Sequence, residues 1–221
     1  MMLSVIIPTL NEQDAIGETL DSIHEHLKSY KSGYEIIIVD SESTDNTVKI
    51  AKAAGASVIN EPRQGYGQAY MTGFKHVKGD IIATLDADAT YPVSRILDLV
   101  KVLESGYDFV SGTRVSKGGS LSFKHRLGNK AITICINVLF FRRFIDSQSG
   151  MWVFRSSLLP KLDLRDRSWP FSGEIKIEAS KYRFIEVPIN YSFRKGDSKI
   201  QSWSVGLQNI KFAFKKRFGI L

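Results

Sequence analysis

Five short apolar runs, each ending in a polar or glycine-containing break, constrain this chain more than any other feature. Leu3–Pro8 (LSVIIP), Tyr34–Val39 (YEIIIV), Ala56–Asn60, Asp80–Leu85 (DIIATL) and Tyr107–Val110 all have strand length. Helical periodicity fills the gaps between them. Ile16, Leu20, Ile23 and Leu27 share one face; Ser43 or Thr44 can cap a second helix that runs to Ala54, with Gly55 as its stop. Pro92 suits the first turn of a third helix carrying Ile96, Leu97, Val100 and Leu103. Strands covered on both faces read as continuous apolar runs, so this alternation argues for an α/β fold with a doubly wound, mostly parallel sheet. At 221 residues and 43% hydrophobic content the chain can build a full core.

After Gly112 the pattern changes. Residues 116–122 (SKGGSLS) read as a polar loop, and residues 131–141 (AITICINVLFF) are almost wholly apolar. Eleven residues are too few to span a bilayer, which needs about 20, leaving a buried helix or one lying against lipid. Residues 201–221 place Trp203, Leu207, Ile210, Phe214 and Phe218 at helical spacing among Lys211, Lys215, Lys216 and Arg217. Such a basic amphipathic helix fits either an interfacial anchor or a helix packed on the domain. The expected boundaries are therefore a domain over 1–199, divided at 112, and a C-terminal helix over 200–221.

Charge divides the same way. Residues 111–221 hold 21 Lys+Arg against 7 Asp+Glu, whereas residues 1–110 hold 9 against 16. The acidic half suits a cation site, and the basic half suits phosphates or an anionic membrane surface. The single cysteine, Cys135, excludes an intrachain disulfide and points to a reducing, cytoplasmic setting. The N-terminal residues read as a strand rather than a secretory leader.

The sharpest chemical signal is Asp86-Ala87-Asp88, directly after the fourth apolar run. Carboxylates two apart on a strand point the same way. Placed at the carboxyl edge of a parallel sheet, where ligands bind in such folds, they can share one hard divalent cation with substrate phosphates. Two further polar segments fall on the same edge: Pro8-Thr9-Leu10-Asn11-Glu12 after the first run, and Asp40 to Asp45 after the second. Asp40 can accept hydrogen bonds from a base or ribose, or cap a helix. Arg63-Gln64-Gly65-Tyr66-Gly67 carries glycines that allow close approach and a helix start, or an ordinary turn. No G-x-G-x-x-G follows the first strand, which argues against a dinucleotide oxidoreductase. The basic charge is not arranged in a recognisable nucleic-acid module.

Taken in order, VIIPTLNE, IIIVDSESTDNT, RQGYGQAYMTGF, GDIIATLDADATYP, DFVSGTR, FKHRLGNK, DSQSGMWVFR and IEVPI…RKGDSK cover residues 3–199. The set resembles the family 2 glycosyltransferases, and among them the dolichyl-phosphate mannose synthase-like branch. The resemblance implies a GT-A fold that passes a hexose from a nucleotide-sugar to dolichyl or polyprenyl phosphate, with inversion, using Mg²⁺ or Mn²⁺, peripherally on the cytoplasmic face of a membrane. It also implies roles. Pro8, Leu10, Glu12, Val39, Asp40, Arg63, Gly67, Ala87 and Lys199 would bind the nucleotide-sugar; Asp86 and Asp88, with Thr90, would hold the metal and diphosphate. Arg114, His125, Arg126, Asn129, Ser149 and Arg194 would face the acceptor phosphate, Lys199 and an arginine near it would clamp the diphosphate, and Asp88 and Arg114 would be catalytic.

The chain departs from the family pattern at a few positions. Thr90 stands where Gln is usual, Leu10 where an aromatic is frequent, and Ser41 where a second Asp is common. Arg194 lies five before Lys199 rather than six, the sixth position being Phe193. A lipid phosphate, with a second pKa near ~6, is already largely anionic at neutral pH and needs no strong general base. The alternative, transfer to a saccharide or lipid hydroxyl, needs one. Glu174 is the nearest candidate, and it otherwise reads as the start of a surface helix.

Overall fold

The computed structural model describes residues 1–116, 123–194 and 202–220. Seven strands form one sheet: β1 (Leu3–Thr9), β2 (Tyr34–Asp40), β3 (Ser57–Asn60), β4 (Ile81–Thr84), β5 (Phe109–Ser116), β6 (Trp152–Arg155) and β7 (Phe184–Tyr191), in the order β3-β2-β1-β4-β6-β5-β7. β3, β2, β1 and β4 run parallel, β6 is antiparallel to both its neighbours, and β5 and β7 are parallel. The helices are α1 (Ile16–Leu27), α2 (Thr47–Ala53), α3 (Tyr66–Gly73), α4 (Ile96–Glu104), α5 (Phe123–Phe140), α6 (Phe171–Ala179) and α7 (Ser202–Arg217).

The apolar runs become central strands because both sheet faces are covered. Val5, Ile7, Ile36 and Ile38 pack under α1 and α4 with Ile16, Leu20, Ile96 and Leu99. Ile6, Ile37, Val39 and Ile82 face Tyr70, Phe74, Trp152 and Phe171 on the other side. β5 continues to Ser116, past the expected end at Val110, because Gly112–Ser116 pair with Val187–Tyr191 of β7. That pairing is invisible in the polar SGTRVS stretch. β6 arises from the MWVF run, all of it buried.

α6 departs from expectation. Every residue of Phe171–Ala179 is buried, including Glu174, Lys176 and Glu178. Glu174 is therefore not on a surface helix start. Its carboxylate accepts from the backbone N–H groups of Arg165 (3.0 and 3.1 Å) and Asp166 (2.8 Å) and from Lys216 Nζ (2.9 Å) on α7. Lys216 also reaches Glu178 at 3.1 Å and the Asp163 carbonyl at 2.7 Å. This buried ion cluster fixes α7 to the domain.

The helix faces inward with an unexpected stripe. Asn209, Phe212, Ala213 and Lys216 are turned to the protein, whereas Leu207, Phe214 and Phe218, three of the five residues of the apolar stripe read from the sequence, are exposed. Ile210 is half-buried and the Trp203 side chain lies outside the described part. α5 is two-faced in the same sense: Ile132 and Ile136 are buried, while Ile134, Val138 and the following Phe141 are exposed. Arg217 of α7 lies over the Phe141 ring at 5.6 Å.

Candidate active site at the carboxyl edge of the sheet

Three loops meet at the carboxyl ends of β1, β2 and β4, and their polar residues serve one another first. Asn11 Oδ1 accepts from Thr44 N (2.8 Å), and Asn11 N donates to Ser43 Oγ (2.8 Å). Glu12 N donates to Thr47 Oγ1 (2.8 Å) and Gln13 Oε1 accepts from Asn46 N (3.1 Å). Three non-glycine residues hold left-handed backbones here, one in each loop: Asn11 (φ 50°), Glu42 (φ 62°) and Ala89 (φ 58°). Asn tolerates that region; for Glu and Ala it is costly and persists only because the surrounding contacts dictate it.

This network also revises the expected cap. α2 starts at Thr47, whose N–H and hydroxyl both donate to Asp45 Oδ1 (2.9 and 2.5 Å). Ser43 instead turns to Asp40, donating its hydroxyl to Oδ1 (2.6 Å) and its N–H to Oδ2 (2.8 Å), while Thr9 Oγ1 donates to Oδ1 (2.9 Å). Asp40 thus organises the turn after β2.

Asp86 and Asp88 lie beyond β4, which ends at Thr84, so a turn and not the strand pleat brings them together. The loop is tied to α1 by Thr19 Oγ1, which donates to the Ala87 carbonyl at 3.1 Å. Asp88 Oδ1 accepts from the Thr90 hydroxyl (2.6 Å) and N–H (3.2 Å), and its Oδ2 accepts from Arg194 Nη1 (2.7 Å). Arg194 Nη2 reaches Glu12 Oε1, also at 2.7 Å. Asp86 Oδ1 accepts from Tyr66 Oη at 3.1 Å. Burial, and then the charge of Asp88, push Asp86 up to about 7, against the Tyr66 hydrogen bond and the positive charges of Arg114 and Arg194. Asp86, buried beside a second carboxylate, is short of positive charge.

Tyr66 was not singled out in the sequence as a site residue. Its ring stacks on Trp169 at 5.2 Å, and its hydroxyl fills the space where a side chain on Gly150 would sit, only 2.3 Å from the Cβ position. The glycines bracketing it follow the same logic: a Cβ on Gly65 would strike the Arg167 carbonyl, and one on Gly67 would strike Phe171. The sequence did carry this signal, as an aromatic between two glycines at a helix start.

Other expected residues fall into place unevenly. Val39 is wholly in the core, so its side chain cannot meet a ligand. Pro8 lies opposite Val39 one residue before the end of β1, and Leu10 is half-buried. Arg63, exposed, is engaged by Glu61 through two N–H groups at 2.7 Å. Ser149 is buried, its carbonyl accepting from Trp152 Nε1 (2.8 Å). Arg114, expected at the acceptor phosphate, is only 10% exposed and forms a two-pronged ion pair with Asp146 (2.7 and 2.9 Å). Burial opposes the charge on Asp146, but Arg114 outweighs it and holds that carboxyl well below the usual range. Beneath the pair, buried Lys176 donates to the Asp146 carbonyl, and Glu186 accepts from the N–H groups of Ile145 (2.6 Å) and Asp146 (3.1 Å). Arg194, also expected at the acceptor phosphate, lies instead on the carboxylates Asp88 and Glu12. Arg126 is exposed and Asn129 half-buried on α5. The His125 side chain and Lys199 lie outside the described residues.

The family model described as glycosyl transferase family 2 matches residues 4–162. The chain belongs to that family. The low-salt glycan biosynthesis hexosyltransferase Agl6 of Haloferax volcanii is 32% identical over 99% of this chain and 54% of its own length. The dolichyl-phosphate hexose transferase of the same organism is 32% identical over 92% of this chain and 89% of its own length. The dolichol-phosphate mannosyltransferase of Pyrococcus furiosus is 29% identical over 93% and 61%. The chain thus spans only about half to three fifths of two of these relatives. Among solved structures, glucosyl-3-phosphoglycerate synthase from Mycobacterium tuberculosis, in complex with Mn²⁺, uridine diphosphate and phosphoglyceric acid, superposes with a TM-score of 0.78 at 21% identity, over 99% of this chain and 78% of that one. That likeness establishes the GT-A fold of this family 2 chain.

Among the described residues no group of three or more His, Cys, Asp and Glu side chains could hold a metal. A hard carboxylate short of positive charge, beside a second that already draws in a guanidinium, nevertheless fits a divalent cation that completes its shell with diphosphate oxygens. No helix among the described residues is long and apolar enough to cross a membrane.

Proposed function

We propose that this chain transfers a hexose from a nucleotide-sugar to a dolichyl or polyprenyl phosphate, inverting the anomeric centre. The observation that carries the reading is the Asp86/Asp88 pair at the carboxyl edge of the sheet, with Asp86 raised to about 7 and an arginine on its partner. The names of the relatives, a dolichyl-phosphate hexose transferase and a dolichol-phosphate mannosyltransferase, support the same acceptor class.

Asp86 and Asp88 would hold Mg²⁺ or Mn²⁺, which would supply positive charge against the departing diphosphate. The Thr90 hydroxyl donates to Asp88 at 2.6 Å and orients that carboxylate, and its oxygen lone pairs would be open to the same cation. Tyr66 fixes Asp86 from the other side. Glu12, Asp40, Pro8 and Leu10 line the edge where base and ribose would lie. Arg114 acts from behind the site: with Asp146 holding its fork, its charge still favours the ionised form of Asp86. Arg126 and Asn129 on α5, with His125, would meet the acceptor phosphate, and Lys199 would close on the diphosphate.

The acceptor supplies its own nucleophilic oxygen. With a second pKa near ~6, a lipid phosphate arrives largely ionised and needs positioning more than deprotonation. Glu174 does not favour the hydroxyl-acceptor alternative, because backbone N–H groups and Lys216 occupy its carboxylate inside the α6–α7 packing. The exposed Ile134, Val138, Phe141, Leu207, Phe214 and Phe218, beside exposed Lys211, Lys215 and Arg217, support a peripheral seat on an anionic membrane surface.

Incubation of the full chain with UDP- or GDP-hexoses, Mn²⁺ and a short polyprenyl phosphate is expected to yield a glycosylated lipid phosphate, read by mass spectrometry. Transfer to a hydroxyl acceptor with none to the lipid phosphate would favour the alternative.

A further inference from the structure

Arg194 occupies the donor edge as a positive charge of the chain's own. Its guanidinium bridges Asp88 Oδ2 and Glu12 Oε1, both at 2.7 Å, and so joins the loops after β4 and β1 to the segment that follows β7. Charge-assisted hydrogen bonds of this length are strong, and a planar fork can serve two carboxylates at once where an ammonium would serve one well. Asp88 has its other oxygen on the Thr90 hydroxyl, so Arg194 completes its set of partners. Arg194 is also the outermost member of the trio: its side chain is 26% exposed, against 12% for Glu12 and 4% for Asp88. A ligand arriving from solvent meets the arginine before it meets either carboxylate.

We propose that Arg194 is an internal counter-ion that closes the donor site to a bare divalent cation and yields when cation and nucleotide diphosphate arrive together. The inference rests on the donor-site reading above. A cation entering alone must break two charge-assisted hydrogen bonds and meet the like charge of the guanidinium. A diphosphate offers that guanidinium new anionic oxygens, so the arginine exchanges carboxylates for phosphate. Cation and nucleotide then bind with positive coupling, each raising the affinity of the other by the same factor. Asp88, Glu12 and Arg194 together thereby restrict cation loading to the presence of a nucleotide.

The test titrates Mn²⁺, followed by its electron paramagnetic resonance signal, into the full chain as wild type, Arg194→Gln and Arg194→Lys. Each protein is measured without nucleotide and with UDP or GDP in separate arms, and circular dichroism melts establish folding. Mn²⁺ alone is expected to bind Arg194→Gln about 10-fold more tightly than wild type, with Arg194→Lys between them. The gain in Mn²⁺ affinity on adding nucleotide should shrink by the same factor in Arg194→Gln. Equal Mn²⁺ affinities in the three proteins, with nucleotide-supported binding intact in wild type, would overturn the counter-ion role and leave the donor site standing. Absence of Mn²⁺ binding to wild type under every nucleotide condition would overturn both. If Arg194→Gln fails to fold, Arg194→Lys decides alone: a bare-Mn²⁺ affinity equal to wild type overturns the proposal.

Discussion

Asp86 at the sheet edge and Glu174 between α6 and α7 are both carboxylates drawn into the body of the domain, yet their surroundings are opposite. Glu174 has more than enough positive partners: two backbone N–H groups and the Lys216 ammonium converge on it, and Glu178 shares the same lysine. Asp86 has one hydrogen bond, from Tyr66, and a second carboxylate close enough to drive its affinity for a proton upward. A satisfied buried carboxylate belongs to the architecture. An under-compensated one at the sheet edge is a candidate site for a cationic ligand. Other buried charges divide along the same line, with Arg114–Asp146–Lys176–Glu186 inside the fold and Asp88–Arg194–Glu12 at the proposed donor edge.

The comparison breaks most decisively at Lys216. Lys216→Met takes the shared ammonium away from two buried carboxylates, Glu174 and Glu178, and removing one partner of a buried pair costs about 3–5 kcal/mol. The melting temperature should therefore fall by roughly 6–20 °C, at about 2–4 °C per kcal/mol for a chain of this size. A variant that melts like wild type would show that α7 is not fixed by this cluster. Next in size is Asp88→Asn: hexose transfer should fall about 10²–10³-fold, the range for losing one preorganised electrostatic contact. Glu174→Gln, if it folds, should keep the activity that Asp88→Asn loses.

A smaller effect has the opposite sign. Because Asp86 is raised to about 7 in the folded chain, the native state holds a proton there that the unfolded chain releases near pH ~4. Between those values acidification stabilises the native state through this group, and above about 7 the charged pair is a cost. In chelator-treated protein without nucleotide, Asp86→Asn should raise the melting temperature at pH 8 by roughly 2–4 °C, and the gain should shrink toward pH 5. A variant less stable than wild type at pH 8 would mean that Asp86 is compensated after all. Smaller again, Tyr66→Phe removes one hydrogen bond to Asp86 and keeps the stack on Trp169. A loss of transfer of about 5–10-fold is expected, matching about 1 kcal/mol, with little change in melting. The weakest effect concerns the exposed α5–α7 face: salt should release part of the protein from anionic vesicles, because Lys211, Lys215 and Arg217 act through a screened field.

What the sequence disclosed and what it hid follow from the range of the interactions. The first strands, α1, α4 and the Asp86-Ala87-Asp88 position could be read because each depends on local periodicity or on a run ending at a break. The partner of Arg114 lies 32 residues away and that of Glu174 lies 42 away, so no local pattern announces that these side chains are neutralised inside the fold. Periodicity in α7 revealed an apolar stripe but not its direction: Phe214 and Phe218 face out while Asn209 and Lys216 face in, because buried glutamates on α6 give the lysine a better partner than water. The misplaced α2 cap has a similar origin. Ser43, Thr44 and Asp45 are all good capping residues, and the loop after β1 decides among them by claiming Ser43 and Thr44 for Asn11. Asp45 is left to receive Thr47.

Calorimetric titration of UDP and GDP in the presence of Mn²⁺, compared across wild type, Asp86→Asn, Asp88→Asn and Glu174→Gln, tests most directly whether the Asp86/Asp88 pair is the donor site. One nucleotide should bind wild type and Glu174→Gln with similar, Mn²⁺-dependent affinity, and should bind either aspartate variant at least about 10-fold more weakly, the equivalent of one lost charge-assisted contact. Mn²⁺-dependent binding that survives undiminished in both Asp86→Asn and Asp88→Asn would contradict it.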